Sequence, residues 1–176
     1  MADYFTPTVV QQEIPAELIS PFEKLLLAAI FEHEEENGKI YYFASEASSD
    51  FLTLDRADLE HALAATTAKS RLKTFVQEQI DATPAVCADI DLDLTVSLYG
   101  SDAYLVILQD IVRRSKGALP YLTITESWTC SKIRPDALGG QAIIITPRAI
   151  RTWSTYRYLE AFTGRFEQKQ CANMPP

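Results

Sequence analysis

Two histidines and three cysteines are the scarce groups from which this 176-residue chain would have to build a catalytic or metal site. His33 lies in Glu32-His33-Glu34-Glu35-Glu36, a run rich in metal-binding types. It lacks the second histidine one turn away that a zinc-binding helix supplies, and it reads as a solvated acidic surface at a helix end. His61, beside Glu60 on a helix, reads as another surface histidine. Cys87, Cys130 and Cys171 are odd in number and far apart, which argues against a disulfide framework and against a zinc site of paired cysteines. A thiol nucleophile at Cys87 or Cys130 would need a histidine brought to it by the fold. Glu126 and Asp136 could form an acid–base pair only in the sense that scattered carboxylates always can. The six glycines include no phosphate loop and no dinucleotide fingerprint, and Gly139-Gly140 reads as hairpin punctuation before a strand. No motif implies a cofactor or a resident metal.

Charge says more than the catalytic residue types do. Residues 1–95 carry 18 acids against 6 bases, a net of −12, whereas residues 96–176 carry 6 acids against 10 bases, a net of +4. An acidic half and a mildly basic half, if segregated in space, form a dipole that steers a charged partner or a second copy. Within the acidic half, Asp89, Asp91 and Asp93 alternate with Ile90, Leu92 and Leu94, the pattern of a half-buried strand. Side chains two apart on a strand stand roughly 6–7 Å apart, close to the spacing of phosphates along one nucleic-acid strand. Such a ladder, with the run Glu34, Glu35 and Glu36, could compete for a basic groove or collect a divalent cation. The simpler role is to keep an edge strand soluble.

The elements that position these groups follow from caps and periodicity. Ser20-Pro21-Phe22-Glu23 opens a helix with a capping box, and Phe22, Leu25, Leu26, Ala29 and Ile30 form its apolar face, with Asn37-Gly38 as the stop. Ile40-Tyr41-Tyr42-Phe43 and Phe51-Leu52-Thr53-Leu54 read as a hairpin. Asp55 caps a second helix bearing Leu59, Ala62 and Leu63, and a third carries Leu72, Phe75, Val76 and Ile80. After a connector with Pro84 and the aspartate strand, Ser101 opens a helix with Tyr104, Leu105, Leu108, Ile111 and Val112 buried, closing at Lys116-Gly117. Tyr121–Glu126 and Gln141–Thr146 form a second hairpin around a long loop. Thr146-Pro147 then starts a helix carrying Arg148, Ile150, Arg151, Trp153, Tyr156, Arg157 and Tyr158, which frays after Gly164. A hairpin loop of about fourteen residues needs a reason. Its Trp128, Lys132, Arg134 and Asp136 mark it as a contact surface. No apolar run is long enough to cross a membrane, and the start of the chain has no signal-peptide pattern.

The order capped helix, strand, turn, strand, cap, helix occurs twice. Ser20 and Ser101 are 81 residues apart, and the pairs Arg56-Ala57 and Arg148-Ala149 are 92 apart. The expectation is a single α+β domain over residues 1–176, with two helix–hairpin–helix units, as an internal pseudo-repeat, sharing an antiparallel sheet with flanking helices.

The stretch Tyr121-Leu122-Thr123-Ile124-Thr125-Glu126-Ser127-Trp128-Thr129-Cys130-Ser131-Lys132, with Gly139-Gly140-Gln141 after it, resembles uncharacterised proteins carried on bacterial plasmids and phages. That resemblance covers the C-terminal half and brings no residue roles. It implies the kind of work small mobile-element proteins do, inhibition of host defence in the manner of anti-CRISPR and antirestriction proteins. The sequence therefore points to a cytoplasmic, non-catalytic acidic protein that binds a protein partner, itself a nucleic-acid-handling machine. Its candidate contacts are Asp89, Asp91, Asp93, Glu34, Glu35, Glu36, Trp128, Lys132, Arg134 and Asp136. The alternatives are a small enzyme whose site is assembled from distant residues, and a nucleic-acid-binding module using the basic C-terminal helix. A homodimer is compatible with the bipolar charge.

Overall fold

The fold is organised around one large antiparallel sheet whose central strand comes from the start of the chain. The computed structural model describes residues 3–48, 51–82, 93–97, 103–134 and 137–172. Strands β1 (Tyr4–Phe5), β2 (Thr8–Val10) and β3 (Ile14–Pro15) are followed by a 3₁₀ turn and helix α1 (Pro21–Ile30). Next come β4 (Glu32–Glu36), β5 (Lys39–Ala44), β6 (Phe51–Asp55), α2 (Arg56–Ala65), α3 (Arg71–Ala82) and β7 (Asp93–Ser97). The C-terminal half contributes α4 (Ala103–Arg114), β8 (Leu122–Cys130), β9 (Gly139–Ile145), β10 (Ile150–Ser154) and α5 (Thr155–Ala172). The α+β class follows directly from this content.

The sheet runs β10-β9-β8-β2-β5-β3, with β1 added to β8 and β4 to β5, and β6 and β7 form a separate two-stranded sheet. One face of the large sheet buries Val10, Ile14, Ile40, Tyr42, Leu122, Ile124, Ile143 and Ile145 against Phe22, Leu26 and Leu27 of α1 and Ile107, Leu108 and Ile111 of α4. The capping box forms as expected. Ser20 Oγ accepts from the Glu23 amide, and the Glu23 carboxylate accepts from the Ser20 amide at 3.0 Å. Asp55 caps α2 through the Asp58 amide at 2.8 Å, and Leu59, Ala62 and Leu63 are buried. The five apolar positions expected on α4 are likewise buried.

Several expectations are corrected. Helix α1 stops at Phe31, and Asn37-Gly38 is instead the two-residue turn of the β4–β5 hairpin. Both residues have positive φ, 52° and 74°, as the mirror-image hairpin turn requires, and Glu36 pairs with Lys39 across it. Ile40–Phe43 therefore pairs with β4, β2 and β3, not with Phe51–Leu54. The latter pairs with β7 over a span of about forty residues, Leu54 opposite Leu94 and Asp55 opposite Asp93. The hairpin assigned to the first unit does not form, while its counterpart β8–β9 does. The pseudo-repeat therefore has no support in strand pairing. Pro147 sits in a tight turn closed by the Thr146 amide on the Ala149 carbonyl at 2.9 Å, so Ile150 to Ser154 form a strand and not a helix. The last helix begins at Thr155 and runs past Gly164 to Ala172. Asp89, Asp91, Pro84, Cys87, Ser101 and Asp136 lie outside the described residues, as do Ile90, Leu92 and Asn173 to Pro176.

Tyr42 is fully buried, and its hydroxyl has no hydrogen-bond partner among the described residues. Burial, then the charges of Glu35 and Glu23, push its ionisation well above the usual 10.0. The unfolded chain would ionise this group above pH 10.0 while the folded chain would not, so its contribution to stability is complete below that pH and is lost as pH rises beyond it. Tyr42→Phe removes an unsatisfied hydroxyl. It is expected to leave stability at neutral pH unchanged or raised by up to about 1 kcal/mol, and to flatten the fall in melting temperature above pH 10.0. Thermal melts of both proteins across the alkaline range measure this. A clear loss at neutral pH would show that the hydroxyl has a partner.

Candidate binding surfaces

The first surface is the acidic edge of the sheet. Among the described strands β4 pairs with β5 alone, and all five of its side chains, Glu32 to Glu36, are exposed. Alternation places Glu32, Glu34 and Glu36 on one side of the ribbon and His33 and Glu35 on the other. Hydrogen bonds from Ser45, side chain first and then backbone, hold the Glu32 carboxyl below the usual carboxylate range. The Ser45 amide donates to it at 3.0 Å. Glu35 meets Lys24 at 2.7 Å, with both side chains nearly half exposed. Such a pair contributes little to stability. Of the expected contacts Glu34 and Glu36 thus share one side of an open edge strand and Glu35 lies on the other, in a strand and not at a helix end. Asp93 is in β7, on the separate small sheet.

The second surface lies at the opposite edge, β10 and α5. Trp128 and Cys130 were expected in a long loop, but β8 continues through Cys130 and β9 begins at Gly139, where Trp128 pairs with Gly139. Trp128 stacks on Tyr156, with ring centroids 5.5 Å apart and planes 15° apart. A Cβ on Gly139 would lie 2.8 Å from the Trp128 ring. The Gly140 amide donates to Thr155 Oγ1 at 3.2 Å. Trp128 therefore packs the first turn of α5 against the sheet and stays half-buried. Lys132 and Arg134 are exposed at the loop tip.

Beyond this contact, the first half of α5 is open to solvent. Residues 155–163 are all exposed, including Tyr158 (55%), Leu159 (56%) and Phe162 (60%), and Trp153 on β10 is 65% exposed. An apolar cleft of about 530 Å³ lies at the root of the helix, lined by Thr125, Ala142, Trp153, Tyr158 and Leu159 among others. Arg148, Arg151 and Arg157, expected on one helix, are divided among a turn, a strand and a helix, all exposed. Leu159 and Phe162 escaped the sequence reading. Their spacing of three with Tyr158 beside them was the available signal, but it is indistinguishable from that of a helix covering a core.

One buried carboxylate and one cluster of cations are structural. Glu126, a candidate acid–base partner of Asp136, accepts from Tyr104 and Gln141 through its two carboxylate oxygens inside the fold. A cleft of about 660 Å³ between α3 and α4 is lined by Lys69, Arg71, Lys73, Arg113 and Arg114. Most of these cations are turned on internal acceptors. Arg71 meets Asp110 at 2.8 Å, Lys73 meets the Leu63 and Thr66 carbonyls at 2.9 and 2.8 Å, and Arg114 meets Glu23. Their charge is committed to tying helices together.

His33 and His61 are both exposed, and neither lines either cleft. Among the described residues no three His, Cys, Asp or Glu side chains are grouped to hold a metal ion, and no helix is long and apolar enough to cross a membrane. Fold and surfaces together define an α+β protein with one sheet edge lined by carboxylates and the other bearing aromatic and basic groups. Neither protein-family models, nor curated proteins, nor solved structures provide a match to the chain.

Proposed function

We propose that the protein is a non-catalytic acidic binding protein of the cytoplasm that inhibits or regulates a protein partner, one whose own work is to handle nucleic acid. A host-defence complex of the CRISPR or restriction kind fits this description. The observation that supports it is β4, an exposed edge strand with four carboxylates in five residues. On one side of the ribbon Glu32, Glu34 and Glu36 repeat every ~6–7 Å, a spacing that a groove built for a phosphate backbone accepts. The open backbone of the same edge offers a partner strand its hydrogen bonds, so charge steers and main chain fixes register.

Affinity capture from nuclease-treated bacterial lysate, at low and moderate salt, tests this with the wild type and with the variant Glu34→Gln/Glu35→Gln/Glu36→Gln. A captured nucleic-acid-binding protein should be released by added DNA or RNA. It should bind the variant at least about tenfold more weakly, and lose affinity as salt screens the contact. A partner that binds no nucleic acid, or binding indifferent to both salt and the substitutions, would overturn the reading.

A further inference from the structure

We infer that the β10–α5 surface is the interface of a twofold homodimer, in which the helical arm of each chain seats its apolar side chains on the aromatic face of the other. This goes beyond the acidic edge and does not depend on it. A monomer rarely leaves this much apolar surface at one edge of its fold open to water. Trp153, Tyr156, Tyr158, Leu159, Phe162 and Ile144 are between 44% and 65% exposed. With full areas of 150–250 Å² for the aromatic side chains, their exposed surface amounts to roughly 600 Å² per chain. A stable interface buries about 800 Å² per partner, so these six side chains supply most of what a dimer needs and their polar neighbours the rest.

Several observations select a second copy as the occupant. The projecting group and its receptor lie on one surface of one chain. Phe162 stands on the arm, and the cleft lined by Ala142, Trp153 and Leu159 opens at its root. A twofold axis places each Phe162 at the other chain's cleft, which is the self-complementary contact that closes at two. Charge permits this at the arm. The whole chain carries −8 and would repel its copy. Around the arm, however, the exposed charges of residues 150–163 are Arg151, Arg157 and Glu160, a net of +1, while the carboxylates of β4 lie five strand spacings away, roughly 24 Å across the sheet. The arm is also held in place before association by the Trp128–Tyr156 stack, so little ordering is left for the encounter.

Light scattering coupled to size exclusion, over low to high micromolar protein, reads the mass. The wild type is expected at twice the 19.7 kDa chain mass. Leu159→Glu/Phe162→Glu, altering two exposed side chains, is expected at the single-chain mass with an unchanged circular dichroism spectrum and melting temperature. Glu34→Gln/Glu36→Gln is expected to stay dimeric. A wild type at single-chain mass throughout would overturn the inference, as would an arm variant that remains dimeric. Loss of the dimer in the β4 variant, or growth to open polymers, would point to head-to-tail pairing of the two sheet edges and overturn it equally.

Discussion

Glu23→Ala should lose about 3–5 kcal/mol of folding stability, enough to leave much of the protein unfolded at moderate temperature. The Glu23 side chain is fully buried and fully used. It accepts from the Ser20 amide at 3.0 Å and the Ser20 hydroxyl at 2.8 Å, closing the cap of α1. It also accepts both terminal nitrogens of Arg114, at 2.9 and 2.5 Å, from the last turn of α4. Arg114 further donates to the carbonyls of Leu18 and Lys69, so one guanidinium joins four segments of chain. Truncating the acid strands that guanidinium, only a quarter exposed, without a counter-charge. The double variant Glu23→Leu/Arg114→Met should recover much of the loss, because removing both charges leaves neither unpaired. Urea denaturation of the three proteins measures the difference. A single variant within 1 kcal/mol of wild type, well inside the range for an exposed pair, would mean water reaches the bridge.

Gly140→Ala is the second large effect, and its sign separates two roles for the glycine pair. Were Gly140 merely punctuation in a hairpin, alanine would stabilise by about 0.4–1 kcal/mol through the unfolded chain. In the structure a Cβ at this position would lie 2.5 Å from the Glu126 carbonyl oxygen, a backbone atom that cannot rotate away. Strands β8 and β9 would have to part where Gly140 also hydrogen-bonds Thr155, at the base of the arm. A loss of more than about 2 kcal/mol is expected, together with weaker packing of α5. The near-ultraviolet circular dichroism of the Trp128–Tyr156 stack reports the second consequence. A stabilised G140A protein with an intact aromatic signal would refute the close approach.

What the sequence disclosed was local. Ser20, Pro21 and Glu23 announce a helix start within four residues, and Asp55 does the same for α2, because caps act on amides two or three positions away. The stripe of α4 was legible from its spacing, although the helix is buried further round than that stripe, at Ile107, Gln109 and Asp110 as well. Asn37-Gly38 was ambiguous in principle. A helix stop and a mirror-image hairpin turn both need positive φ, and β4 has no buried face to impose alternation on Glu32–Glu36. Pro147 misled likewise, since it suits both a helix start and a tight turn. Long-range facts left no local trace. The contact of Glu23 with Arg114, 91 positions further on, the insertion of Thr8–Val10 between β8 and β5, and the pairing of β6 with β7 are set by packing alone. The acidic edge was legible as composition, and its strand geometry was not. The arm was hidden because an apolar stripe looks the same whether or not the fold covers it.

Because no side chain of β4 enters the core, its composition is nearly free of the fold. The turn at Asn37-Gly38 and the hydrogen bonds to β5 hold the strand, so substitutions along it should each fall within about 0.5 kcal/mol of neutral. Most binding sites trade recognition against stability; in the binding edge proposed above the two are uncoupled. A lineage pressed to follow a changing target could rewrite this strand one residue at a time and keep a folded protein at every step.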